Sequence, residues 1–74
     1  MSNKEERDIE KSYTPKQMAA KLRRFADALE SGETFRIQIA GERVTVPKDA
    51  VCNIEHERSD DQEEIEFQIK WENK

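Results

Sequence analysis

Along Glu64-Ile65-Glu66-Phe67-Gln68-Ile69-Lys70-Trp71, polar and apolar side chains alternate without a break. A strand has a side-chain period of two, so Ile65, Phe67, Ile69 and Trp71 share one face and Glu66, Gln68 and Lys70 the other. A helix would scatter the same residues around its circumference. Burying four large side chains at about 1.5–3 kcal/mol each would make this strand the largest single contributor to the core. Whatever else the chain builds must supply a cover for that face.

Little else is available to build it. The chain has 74 residues, of which 34% are apolar and 41% charged. That is one domain near the lower size limit for independent folding, with material for one thin core and two packed layers. The net charge of −4 argues against a nucleic-acid-binding surface, which needs cations to meet phosphates. No apolar run approaches the roughly 18 residues that span a bilayer, so no membrane segment is expected. Met1 to Arg7 lacks the apolar core of a signal peptide, and the single Cys52 excludes an intramolecular disulfide. The expectation is a cytoplasmic protein.

Residues 1–8 are almost wholly polar and are expected to be a disordered tail, leaving residues 9–74 as a single domain. Ile9 and Tyr13 admit two readings: a short extra N-terminal strand over Asp8–Ser12, or a lead-in whose Tyr13 staples the following helix. Thr14-Pro15-Lys16-Gln17 is a helix start, with a capping Thr14, Pro15 at the first helical position and Gln17 completing a capping box. Met18, Leu22, Phe25, Ala26 and Leu29 then recur at helical spacing, and Gly32 ends the helix. Four strands follow: Thr34–Ile39, Arg43–Val46 after a turn at Ala40-Gly41-Glu42, Ala50 to about Glu57 after Pro47, and Glu63 to Trp71 or Glu72. The short links favour hairpins. The expected fold is α+β: one N-terminal helix packed on one face of a four-stranded antiparallel sheet, an α-β-β-β-β meander whose other face is solvated.

Three stretches carry a family resemblance: Leu22-Arg23-Arg24-Phe25-Ala26-Asp27-Ala28-Leu29-Glu30-Ser31-Gly32, Arg43-Val44-Thr45-Val46-Pro47, and Ile65-Glu66-Phe67-Gln68-Ile69-Lys70-Trp71. On these the chain resembles the amphi-Trp domain family, small bacterial and archaeal proteins with an amphipathic C-terminal strand ending in tryptophan. The resemblance covers roughly Tyr13 to Trp71. It implies the fold and transfers no catalytic or ligand residue.

The residues themselves point away from catalysis. Cys52 and His56, the sole Cys and His, stand four apart on a strand, so their Cα atoms lie roughly 13 Å apart, too far to share a metal comfortably. Glu55, Glu57, Asp60, Asp61, Glu63, Glu64 and Glu66 lack the glycine and the ligand alternation of a calcium loop and read as a solvated hairpin tip. There is no glycine-rich phosphate loop. No metal, cofactor or catalytic residue is therefore assigned. The candidate interaction residues are Lys16, Lys21, Arg23 and Arg24, placed on the outer face of the helix, and Trp71 at the rim of the core. The expected function is a non-catalytic interaction module, its partner another protein or itself as a homodimer joined at open strand edges or by charge pairing. The alternative is a nucleic-acid accessory factor that uses the helix cations.

Overall fold

The computed structural model describes residues 5–73. Helix α1 spans Pro15–Ser31 and is followed by β1 (Phe35–Ile39), β2 (Glu42–Val46), β3 (Val51–Arg58) and β4 (Glu63–Lys70). The helix begins where the capping chemistry places it. Gln17 N–H donates to Thr14 Oγ1 at 3.2 Å, and Thr14 N–H donates to Gln17 Oε1 at 3.0 Å. These are the two reciprocal bonds of a capping box. At the other end Gly32 adopts φ 66°, ψ 33°. Its N–H reaches the Leu29 carbonyl, and Glu33 N–H reaches the Ala28 carbonyl at 3.0 Å. This double closure satisfies carbonyls that would otherwise be orphaned, and it needs a left-handed residue, for which glycine is the least costly.

The strands form two antiparallel hairpins. In the first, Phe35 faces Val46 and Ile37 faces Val44. The connecting turn has positive φ at both Ala40 (48°) and Gly41 (85°). That is the backbone of a two-residue hairpin turn whose twist matches the flanking strands. In the second hairpin, Cys52 faces Ile69, Ile54 faces Phe67 and His56 faces Ile65. Residues directly opposite share a face, so this ribbon has one apolar side. Its other side pairs Glu55 with Glu66 and Glu57 with Glu64.

The expected single four-stranded sheet is corrected on one point. The strands divide into two two-stranded sheets, β1–β2 and β3–β4. The Pro47–Ala50 corner, closed by Ala50 N–H donating to the Pro47 carbonyl, separates them. Pro47 has no N–H to continue a ladder. Among the described residues ahead of the helix there is no strand, so the Asp8–Ser12 strand is not formed. Arg7 nonetheless ties this lead-in to the first hairpin. It donates to the Ile39 carbonyl at 2.8 Å and to Glu42 Oε1 at 3.3 Å.

The core is also placed differently from expectation. The buried hydrophobic residues are Phe35 and Val46, on the first hairpin, and not those of the last strand. The Phe25 ring lies 5.2 Å from the Phe35 ring at a tilt of 54°, a favoured aromatic geometry. Ile65 and Phe67 are each 63% exposed. They were expected to be buried beneath the helix, but the ribbon that carries them is not joined to β1–β2, and the body of the protein meets it only at its base. There Cys52 and Ile69 line a small pocket of about 40 Å³ with Phe25, Leu29, Phe35 and Val46. The molecule is accordingly long, 42 × 28 × 23 Å, with a radius of gyration of 14.0 Å. A compact domain of this length would have about 11 Å.

Candidate functional site

Two surfaces stand out, and both arise from the separation of the ribbon. The first is the apolar side of β3–β4, where Ile54, Ile65 and Phe67 are between 63 and 66% exposed. The second is one flank of α1. At 100° per residue, Met18, Leu22 and Leu29 lie on one side of Phe25, while Lys21 and Ala28 lie on the other. The Phe25–Ala28 side is half-buried and faces the first hairpin. Met18, Leu22 and Leu29 are left between 42 and 53% exposed. Half of the helix stripe is thus covered by β1–β2 and half is bare.

The opposite side of the ribbon is acidic. Oxygens of Glu55, Glu57 and Glu66 all approach within 4.8 Å of one another. Like charges directly opposite in a ladder repel. The amide of Gln68 donates to both Glu55 and Glu66, at 3.3 Å each, and eases this. Glu64 still feels the crowding: Glu66, above all, then desolvation and the charges of Glu57, Glu10 and Glu55 raise its pKa. Glu66 and Gln68 on this acidic side are half-buried, whereas Ile65 and Phe67 on the apolar side are exposed. The apolar side thus meets its own chain only at the base, through Cys52 and Ile69, and is exposed beyond it.

At the ribbon tip Glu63 is held by two partners. Arg58 donates to Glu63 Oε2 through Nε at 3.1 Å and Nη2 at 2.8 Å, and His56 Nε2 lies 2.8 Å from the same oxygen. The Arg58 bonds first, and the His56 bond second, hold the Glu63 carboxyl below its ordinary pKa. His56 and Cys52 are not brought together. Both lie in β3, four residues apart, opposite Ile69 and Ile65 respectively, and Cys52 is a free thiol.

The helix cations do not form one outward patch, and their expected placement is corrected. Lys21 Nζ sits 4.7 Å from the centre of the Tyr13 ring. Arg24 lies over the Phe35 ring at 5.1 Å and donates to the Arg36 carbonyl at 2.6 Å. These two therefore lie on the packed side, because a long side chain with an apolar stem can cover aromatic surface while its charge stays near water. Lys16, Arg23 and Arg24 are exposed, and Lys21 is half-buried. Trp71 falls just beyond the end of β4 and is half-buried. No helix among the described residues is long and apolar enough to cross a membrane.

With this geometry in hand, comparison with known protein families is decisive about kinship. The model of the Amphi-Trp domain matches residues 1–74, the whole chain. The chain belongs to the Amphi-Trp domain family. No curated protein and no solved structure matches it. For this Amphi-Trp domain the amphipathic last strand is real, and its apolar side is the most exposed apolar surface of the molecule. Alternation in the sequence showed which residues share that side. The missed feature, a bare helix flank beside a bare ribbon face, had a partial signal in the Pro47 break between the two hairpins.

Proposed function

We propose that this Amphi-Trp domain is a small, non-catalytic interaction module whose working surface is the apolar side of the β3–β4 ribbon. One observation carries the reading: Ile54, Ile65 and Phe67 form an exposed apolar patch on a two-stranded ribbon. Isolated two-stranded hairpins are marginal in water, and contiguous exposed apolar patches mark association sites. A binding partner that covers the patch supplies what the ribbon lacks. The lone free thiol fits a reducing compartment, and we place the protein in the cytosol on that basis. The helix cations lend weaker support to a nucleic-acid role, since Lys21 and Arg24 are engaged within the chain.

The test is recovery of partners by tagged protein co-expressed with an untagged copy in source cells. Wild type and Phe67→Glu are compared, with Glu64→Lys as the control on the acidic side. The reading expects a species, either the untagged copy or another protein, that wild type and Glu64→Lys retain and Phe67→Glu loses. Identical recovery by all three would overturn it.

A further inference from the structure

We infer that the β3–β4 ribbon is a hinged flap. Turning about the Pro47–Ala50 corner, it closes its apolar side over the Met18, Leu22 and Leu29 flank of its own helix and so withdraws that side from partners. The structure holds it in the open position. The closure stands on the fold alone, and its regulatory effect rests on the proposed function.

Closure extends a contact that already exists. At the base of the ribbon, Cys52 and Ile69 share the pocket of about 40 Å³ with Phe25, Ala28 and Leu29. The bare residues on both sides of this seam continue it. From the base outward, β4 presents Ile69, Phe67 and Ile65 on the apolar side. At about 3.4 Å per residue, Phe67 and Ile65 lie about 7 and 14 Å beyond Ile69. At about 1.5 Å per residue, Phe25, Leu22 and Met18 lie about 6, 11 and 17 Å from Leu29 toward the helix start. With Ile69 level with Leu29, Phe67 therefore meets Phe25 and Leu22, and Ile65 falls between Leu22 and Met18. The Arg58–Glu63 pair reaches about 20 Å, the level of the first helical turn, where its charges stay in water.

The linkage permits the motion. No ladder joins β2 to β3, and the corner between them is closed by Ala50 N–H donating to the Pro47 carbonyl at 3.3 Å. Lys48 and Asp49 within it are exposed. Hinges of this kind are short segments whose few dihedrals absorb the change. Surface is also available for closure to bury. The chain exposes 6931 Å². Even with residues 1–12 counted as extended, a compact remainder gives a total of about 6,200 Å², leaving a surplus of about 700 Å². Among the described residues, six of the eight large apolar side chains left exposed lie on the two surfaces that closure brings together.

The test uses the purified full chain. Leu22→Cys and Ile65→Cys are combined with Cys52→Ser and treated with a short bismaleimide. The expected result is a link within one chain, formed several-fold faster than when Glu66→Cys, on the polar side, replaces Ile65→Cys. A link between chains, or equal rates for the two pairs, overturns the closure. Hydroxyl-radical footprinting checks it without a cross-linker. Leu22→Lys should raise labelling of Phe67 several-fold, because a charge on the flank holds the flap open. Leu22 is already 42% exposed, so the open fold does not depend on it. Unchanged labelling of Phe67 overturns the closure. As bait in a source-cell lysate, the linked chain should lose the Phe67-dependent species that the unlinked chain recovers. Equal recovery by both overturns the regulatory effect and leaves the interaction reading standing. Absence of any Phe67-dependent species removes that reading and the regulatory effect together, while the cross-link still reports the closure.

Discussion

Phe35→Ala is the substitution that most directly tests where the core lies. Phe35 is 8% exposed, faces Val46 at 7%, and meets the Phe25 ring at 5.2 Å and the Arg24 guanidinium at 5.1 Å. Removing the ring forfeits about 1.5–3 kcal/mol of apolar burial. It also forfeits about 0.5–1.5 kcal/mol from the aromatic pair and about 0.5–1 kcal/mol from the cation–π contact. The total, about 2.5–5.5 kcal/mol, spans the range of about 3–5 kcal/mol usual for Phe→Ala in a core. A domain of this size has only about 4–11 kcal/mol in all. The variant should therefore lose a large share of its stability and melt at least about 12 °C lower. Urea unfolding at one fixed protein concentration measures the loss, and an unchanged slope with denaturant shows that the unfolded state is the same. Gln38→Ala, on the exposed side of the same strand, should stay within about 0.5 kcal/mol of wild type. A Phe35→Ala loss below about 1 kcal/mol, or one equal to that of Gln38→Ala, would show that this hairpin is not the core.

Two further predictions concern the turn and the ribbon. Ala40→Asn should raise stability by about 0.5–1 kcal/mol in the same urea assay, because Ala40 holds φ 48°, which asparagine tolerates better than alanine; a loss would place the strain elsewhere. Glu63 and Glu64 should respond to acid with opposite signs. Glu63 has a lowered folded pKa, so it stabilises the fold above its unfolded pKa and loses that contribution as pH falls through the folded value; Glu64, with a raised folded pKa, disfavours the fold at neutral pH and is relieved as pH falls through its raised value. In thermal melts Glu63→Gln should be the less stable variant and Glu64→Gln the more stable one at pH 7, each converging on wild type as pH falls below the folded pKa of the glutamate it replaces, and parallel behaviour of the pair would refute the assignment of partners.

The local elements were legible in the sequence because each is governed by nearby residues. Thr14 and Gln17 stand three apart and close their capping box through two bonds of their own. Gly32 stops the helix through bonds to residues of the preceding turn. The alternation of β4 reappears as a ribbon with a clean apolar side. Ala40 was less legible, since alanine seldom adopts positive φ and only the neighbouring Gly41 marked the turn. Lys21 and Arg24 were assigned outward on the strength of their charge. Their stems and the nearby rings of Tyr13 and Phe35 decided otherwise.

The cover of the last strand was illegible for a different reason. Periodicity states that Ile65, Phe67 and Ile69 need a common apolar neighbour, but a period of two carries no information about which chain provides it. A cover from the chain's own helix and a cover from another molecule satisfy the same pattern. In the structure a four-residue corner, Pro47-Lys48-Asp49-Ala50, separates β3 from the first hairpin. Past that corner only the base of the ribbon's apolar side, Cys52 and Ile69, meets Phe25 and Leu29, while Ile54, Ile65 and Phe67 stay exposed. An amphipathic strand exposed in this way is under pressure either to unravel or to associate. Its exposed apolar side, more than any single residue, is the feature on which the proposed interaction role of this Amphi-Trp domain rests.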